Sequence, residues 1–191
     1  MEFVNAFDRV WKGGICLPDG EKLPVDAIIF CTGYNFHFPF LSPKVKVDVS
    51  SFRVSPLYKH VVSIRHPTLS FLGLCSLVCP FPQFDLQATF VSRILGGTLA
   101  LPTAEEMLKD EIDELKYRMD ELGWPERHAH RMNNLQWAYN DELAELGNFP
   151  PLPKVYKELY EFVWKRRTFD VLGYRDDNYE IRDDGSFRLI S

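Results

Sequence analysis

The groups in this chain able to ligate a metal or act as nucleophiles are few, and their spacing argues against both roles. Cys75 and Cys79 are separated by three residues in an apolar stretch, and no second pair completes a tetrahedral set. Cys16 and Cys31 fall in strand-like runs, so reduced thiols in the interior are the expectation for the cysteines. His128 and His130 stand two apart, which on a helix turns them to different faces, and no metal is expected. No Ser/His/Asp or Cys/His constellation is visible, so no residue is assigned a catalytic role. Lys165-Arg166-Arg167 reads as the basic last turn of a helix.

The informative stretch is Asp26-Ala27-Ile28-Ile29-Phe30-Cys31-Thr32-Gly33-Tyr34, followed by Phe38-Pro39-Phe40-Leu41. Residues 27–31 are apolar at every position, as in a strand covered on both faces. The strand is expected to end abruptly in Thr-Gly. In open α/β sheets ligands bind beyond the carboxyl ends of strands. A glycine there lets the backbone approach a large planar ligand, and free N–H groups and the Thr hydroxyl can donate to it. A simple turn after a core strand would give the same pattern.

The surrounding elements change character near residue 85. Before it, Pro18-Asp19-Gly20 marks a turn between Ile15-Cys16-Leu17 and Leu23-Pro24-Val25, a hairpin signal. Val45, Val47 and Val49 alternate with polar residues, and 69–74 is a short apolar strand. After it the period is helical. Asp85 is placed as the cap of a helix ending at Gly96-Gly97. Thr103 and Glu106 have capping-box spacing before a stripe of Leu108, Ile112, Leu115, Met119 and Leu122, read as core packing and ended by Gly123. A third helix is expected from Pro125 to about Leu146 and a fourth from Val155 to about Arg167. The tail from Asp170, with Asp184-Gly185, suggests a loose hairpin.

Composition bounds the function. The chain has 191 residues, 46% of them hydrophobic and 26% charged, with a net charge of −5, which excludes a disordered chain. Residues 1–100 carry +2 and residues 101–191 carry −7. That acidic second half disfavours a nucleic-acid partner. No apolar run is long enough to span a bilayer, and the first eight residues lack a basic region. A soluble cytoplasmic protein is the expectation.

The order of these pieces resembles the flavin-containing monooxygenases. The family pattern Asp-x-[Val/Ile]-Ile-x-[Ala/Cys]-Thr-Gly-Tyr is met from Asp26 to Tyr34. Two further pieces follow in family order: Leu57-Tyr58-Lys59-His60-Val61-Val62 with residues 66–74, then Pro80-Phe81-Pro82-Gln83-Phe84-Asp85-Leu86-Gln87-Ala88. The resemblance implies an α/β fold, the C-terminal part of a flavoprotein with two dinucleotide-binding domains. Short strands and hairpins would occupy 1–84, before a mainly helical 85–167. Residues 1–34 would end the NADPH domain and supply a linker strand, 35–167 would belong to the FAD domain, and 168–191 would be a tail.

It further implies FAD and NADPH as cofactors, with Thr32, Gly33 and Tyr34 near both. Leu77, Cys79, Pro80, Phe81 and Gln87 would lie beside the flavin, although an interior hydrogen bond is the equal alternative for Gln87. The implied reaction passes one atom of molecular oxygen from a flavin C4a-hydroperoxide to a small amine or sulfide, of the N,N-dimethylaniline type. Homo-oligomers and association with the endoplasmic reticulum are compatible with it. Departures are plain: no G-x-G-x-x-G occurs, and Leu77 stands where the family fingerprint F-x-G-x-x-x-H has its His. A chain inactive by itself is therefore expected. A Baeyer–Villiger monooxygenase and a non-catalytic binding module stay open as other readings.

Overall fold

The computed structural model describes residues 6–31, 33–45, 47–50 and 52–190. The chain divides into two units, one ending at Asn35 and one beginning at Phe36.

The first unit is a three-stranded antiparallel sheet of β1 (Arg9–Trp11), β2 (Gly14–Cys16) and β3 (Lys22–Pro24). The expected hairpin is present. Gly20 takes φ +92°, its N–H donates to Leu17 O at 2.9 Å, and the Asp19 carboxylate accepts from Glu21 N. The strand expected over 27–31 is not formed. These residues carry no regular structure, Ile29 and Phe30 are 85% and 72% exposed, and Cys31 is exposed rather than interior. A run apolar on both faces is stable as a strand only with neighbours on its edges and layers over its faces. None of the three strands of this unit pairs with it.

The second unit begins with hairpins and ends with helices. β4 (Asp48–Ser50) pairs with β5 (Arg53–Ser55), and β6 (Leu57–Tyr58) pairs with β7 (Val62–Ser63), all antiparallel. Residues 69–74, expected as a strand, make only a bridge from Ser70 to Val62 and backbone bonds to Val61 and Ser63. A mixed α/β fold of short hairpins followed by four helices is thus what the sequence folds into.

Helix α1 (Pro80–Leu95) starts five residues before Asp85, which lies inside it. Prolines at the head of α1 explain the shift. They pre-set helical φ, and the N–H groups they lack would have had no intrahelical acceptor. Helix α2 (Ala104–Lys116) has the full capping box, Thr103 and Glu106 serving each other's backbone N–H. The third helix is shorter than expected. Residues 126–128 form one 3₁₀ turn, and α3 runs only from Leu135 to Gly147, closed by Asn148 in the left-handed conformation. Helix α4 spans Lys154–Phe169, and the tail hairpin of β8 (Tyr179–Ile181) and β9 (Phe187–Leu189) packs its Tyr179 and Phe187 rings against Phe162.

The core joins β6–β7 to α1, α2 and α3 through Tyr58, Val61, Val62, Phe90, Met107, Met132 and Leu143. The apolar stripe of α2 is not part of it: Leu108, Ile112 and Met119 are each at least 40% exposed. The face of α2 turned inward carries Met107, Asp110, Glu114 and, one turn beyond the helix, Arg118. Phe90 is 1% exposed at the centre of this core. Phe90→Ala is expected to lower unfolding free energy by about 3–5 kcal/mol, read from urea denaturation, whereas Leu108→Ala should cost under about 1 kcal/mol.

Candidate functional site

A loop and a helix start form the site. Leu77 has φ +56° and is half exposed, Cys79 is partly buried as the residue before α1, and Phe81 in the first turn is 83% exposed. The loop is pinned from below. Gln136 Oε1 accepts from Cys79 N at 2.6 Å, Leu77 O accepts from Asn133 N, and Ser76 exchanges backbone bonds with His130 and Met132. An apolar knob of Leu77 and Phe81 therefore stands on a rigid base. Pro80 and Pro82 have no N–H, so this helix start presents a dipole but few donors.

Gln87 lies one and a half turns further on and is fully buried. Its Oε1 accepts from Gly73 N at 3.0 Å, its Nε2 donates to Tyr139 Oη at 2.9 Å, and Tyr139 in turn donates to Lys59 O at 2.8 Å. Of the two roles the sequence allowed, the interior hydrogen bond is the one its side chain fills. Burial raises the Tyr139 hydroxyl well above its ordinary range, and it pushes the nearby Cys75 thiol up to about 12. Neither group ionises near neutral pH.

A second polar network, which the sequence did not reveal, ends on the same turn. Lys59 and His60 both have left-handed backbones, φ +49° and +58°, between Tyr58 O and Val61 N, which are bonded at 3.0 Å. This is the geometry of a type I′ turn, ordinarily made by Asn and Gly. Lys59 Nζ reaches Asp110 and Glu142, each at 2.6 Å. Burial works against the Lys59 charge, but those two hydrogen bonds more than offset it and its pKa rises.

His60 continues the network. Val54 N–H donates to His130 Nε2 at 3.0 Å, so the His130 proton sits on Nδ1 and points to His60 Nδ1, 3.0 Å away. His60 Nε2–H then donates to Glu114 at 2.9 Å, and Arg118 holds the same carboxylate at 2.6 Å while its other arm bonds Arg131 O. Burial alone would raise Glu114, yet the charges and hydrogen bonds of His60 and Arg118 hold it well below the carboxylate range. Burial, and then the neighbouring His60 and Arg118, lower His130 to about 3. A cavity of about 20 Å³, room for one water, lies among these groups.

The remaining predicted residues lie in the first unit. Thr32 is outside the described residues. Gly33 takes φ +88°, the conformation a glycine accepts without strain, and Tyr34 is 96% exposed.

Comparison with known proteins decides the family. Residues 13–163 match the model of the FMO-like family, flavin-binding monooxygenase-like proteins. The chain belongs to this family. Its FMO-like relatives include the flavin-containing monooxygenases FMO GS-OX-like 7 and FMO GS-OX-like 6 of Arabidopsis thaliana. The first is 38% identical over 92% of this chain and 40% of its own length, and the second 40% identical over 98% and 41%. Among solved structures, the S-allyl-L-cysteine S-oxygenase from Allium sativum superposes with a TM-score of 0.74 at 35% identity, covering 90% of this chain and 38% of that one. Tmm from Pelagibacter sp. strain HTCC7211 superposes at 0.72 with 25% identity, over 95% and 40%. The chain thus spans about 40% of the length of these FMO-like proteins.

The site fits one part of a flavin and not another. Leu77 and Phe81 offer an apolar surface suited to a ring system, and no G-x-G-x-x-G stands in the chain to grip a pyrophosphate. Gln87→Leu leaves Gly73 N–H and the Tyr139 hydroxyl without their buried partner, at a cost of about 1–3 kcal/mol; chemical denaturation measures it. The buried network also sets a pH dependence. A histidine held neutral in the fold and protonated when unfolded makes stability fall with pH below its ordinary value of 6.5 and until about 3. Glu114, depressed in the fold, adds to the same fall below its ordinary 4.5. Thermal melts should drop steadily from pH 6.5 to 4.5, and His130→Asn should flatten that slope by about one proton per molecule.

Proposed function

We propose that this chain forms the C-terminal part of the FAD-binding region of an NADPH-dependent monooxygenase that oxygenates sulfur in small molecules, with nitrogen of the N,N-dimethylaniline type as the alternative acceptor. One observation carries this reading: a chain of the FMO-like family presents an exposed apolar knob, Leu77 and Phe81, on a base fixed by buried hydrogen bonds. Sulfur is favoured because the garlic protein similar to this chain is an S-oxygenase. The flavin, when bound, supplies oxygen activation and carries the electrons of NADPH. Leu77 and Phe81 cover one edge of its ring and keep water from it. Cys79 and Pro80 set the position of Phe81, and Gln87 holds the Gly73 loop behind them. Thr32, Gly33 and Tyr34 pass close to the nucleotides, where Gly33 leaves room for them.

No side chain here is a nucleophile or base, in keeping with chemistry that resides in the cofactor. The affinity for FAD comes mainly from a pyrophosphate site on the rest of the protein. The test is to co-express the chain with the segment of FMO GS-OX-like 7 that precedes its matched region. After desalting, the pair should retain flavin absorbance, consume NADPH and convert methyl p-tolyl sulfide to its sulfoxide, while the chain alone does none of these. Absence of flavin from the pair overturns the proposal, and ester formation from a ketone without sulfoxide would turn it to Baeyer–Villiger chemistry.

A further inference from the structure

The largest polar cleft near the Leu77 loop has no role so far. It measures about 470 Å³, within the range of small-molecule sites, and lies between α4 and the segments holding Leu77 and residues 131–136. One wall is a single face of α4, where Tyr160, Glu161, Trp164 and Lys165 recur at the spacing of one helical turn. Tyr160 and Trp164 are stacked, with ring centroids 6.2 Å apart at 19°, and the edge of Trp137 buttresses Tyr160. They form an aromatic panel rather than two mobile side chains. Arg131 faces this wall, its guanidinium steadied 5.4 Å over the Trp124 ring. Gln136 also lines the cleft, but its amide is spent on Cys79 N and Asn133 O.

The charges in this cleft are of two signs and are not cancelled against each other. Glu161 and Lys165 stand at i and i+4, the favoured order for an ion pair, yet they do not pair. With Arg131 they give two cations and one carboxylate around an aromatic panel. That is the complement of a molecule carrying a carboxylate, an ammonium and an apolar group.

We propose that this cleft binds the amino-acid moiety of a zwitterionic sulfide, an S-substituted cysteine. Arg131 and Lys165 take the α-carboxylate, Glu161 takes the α-ammonium, and the S-substituent lies along Tyr160 and Trp164, where aromatic rings also favour sulfur. The inference rests on the sulfur-oxygenating reading above, because Leu77 lines the cleft and opens the loop assigned there to the flavin ring. It makes Lys165 and Glu161 specificity residues, with no part in oxygen activation.

Binding is tested on the 191-residue chain by saturation-transfer NMR and calorimetry with S-benzyl-L-cysteine. Benzyl methyl sulfide and 3-(benzylthio)propionic acid, which lacks the ammonium, serve as comparators. S-Benzyl-L-cysteine should bind at least about tenfold tighter than benzyl methyl sulfide, one charge-assisted contact being worth about that factor. Lys165→Glu should remove the preference. Glu161→Gln should weaken the amino acid and leave the ammonium-free acid unchanged. Both side chains are exposed, and circular dichroism verifies that the variants fold. Equal affinity for the three probes, or a Lys165→Glu variant that binds like the parent, overturns the proposal. The two readings fail separately. If the reconstituted pair makes sulfoxide but Lys165→Glu leaves KM for S-benzyl-L-cysteine unchanged, the cleft assignment is wrong and the monooxygenase stands. If the cleft shows the expected selectivity but the pair takes up no flavin, the monooxygenase reading is wrong.

Discussion

The second unit depends on a charged residue buried in a turn that disfavours it. Lys59 is 7% exposed and His60 8%, and both have left-handed backbones. For residues other than glycine that conformation costs about 1–2 kcal/mol each, and burying an ammonium costs several more unless it is paired. The turn persists because α2 and α3 bring three carboxylates to it: Asp110 and Glu142 for Lys59, Glu114 for His60. This requirement fixes the orientation of α2. Its carboxylates must face inward, so its leucine and isoleucine stripe faces out. Electrostatic need outranks apolar patterning on this helix, since breaking a buried pair costs about 3–5 kcal/mol, more than half-exposing a few aliphatic side chains.

The same turn is coupled to the candidate site through atoms rather than distance. Tyr139 donates to Lys59 O and accepts from Gln87, which accepts from Gly73 N. His130 fixes the strand of Val54 with one ring nitrogen, and its backbone carbonyl accepts from Ser76 beside Leu77. Both sides of the Leu77–Phe81 loop are therefore tied to one interior polar lattice. Such a lattice is costly if incomplete, which explains why a functional loop rests on it: the loop cannot shift without orphaning buried groups beneath it.

What the sequence revealed and what it hid divide along one line. The Pro18-Asp19-Gly20 hairpin, the Thr103/Glu106 capping box and the Asp184-Gly185 turn were legible because their causes lie within a few residues. The residues 27–31 and the stripe of α2 were misread because apolar period reports what a segment can bury, not what is there to cover it. The polar interior was hidden for the same reason. Lys59, His60, Arg118 and His130 are buried, and their partners lie 50 or more positions away in most cases, as with His60 and Glu114. One local signal existed: Lys59-His60 interrupts the apolar run from Leu57 to Val62, and two charged residues inside such a run need partners.

The apolar groups left outside the two cores bear on how a flavin would be held. Ile29, Phe30 and Tyr34 in the first unit, and Leu77 and Phe81 in the second, are all largely or half exposed. Contacts of this type are additive in area, at about 25 cal/mol per Å², and they impose no fixed orientation. A pyrophosphate held by backbone N–H groups at a glycine-rich helix start does impose one. A chain whose α1 opens Pro-Phe-Pro has surrendered N–H donors for shape. It can cover a ring already placed by another segment, and it is poorly equipped to capture the nucleotide from solution. The division of labour follows from that helix start: affinity must come from elsewhere in the protein, and this portion contributes rigidity, exclusion of water and the surface a substrate meets.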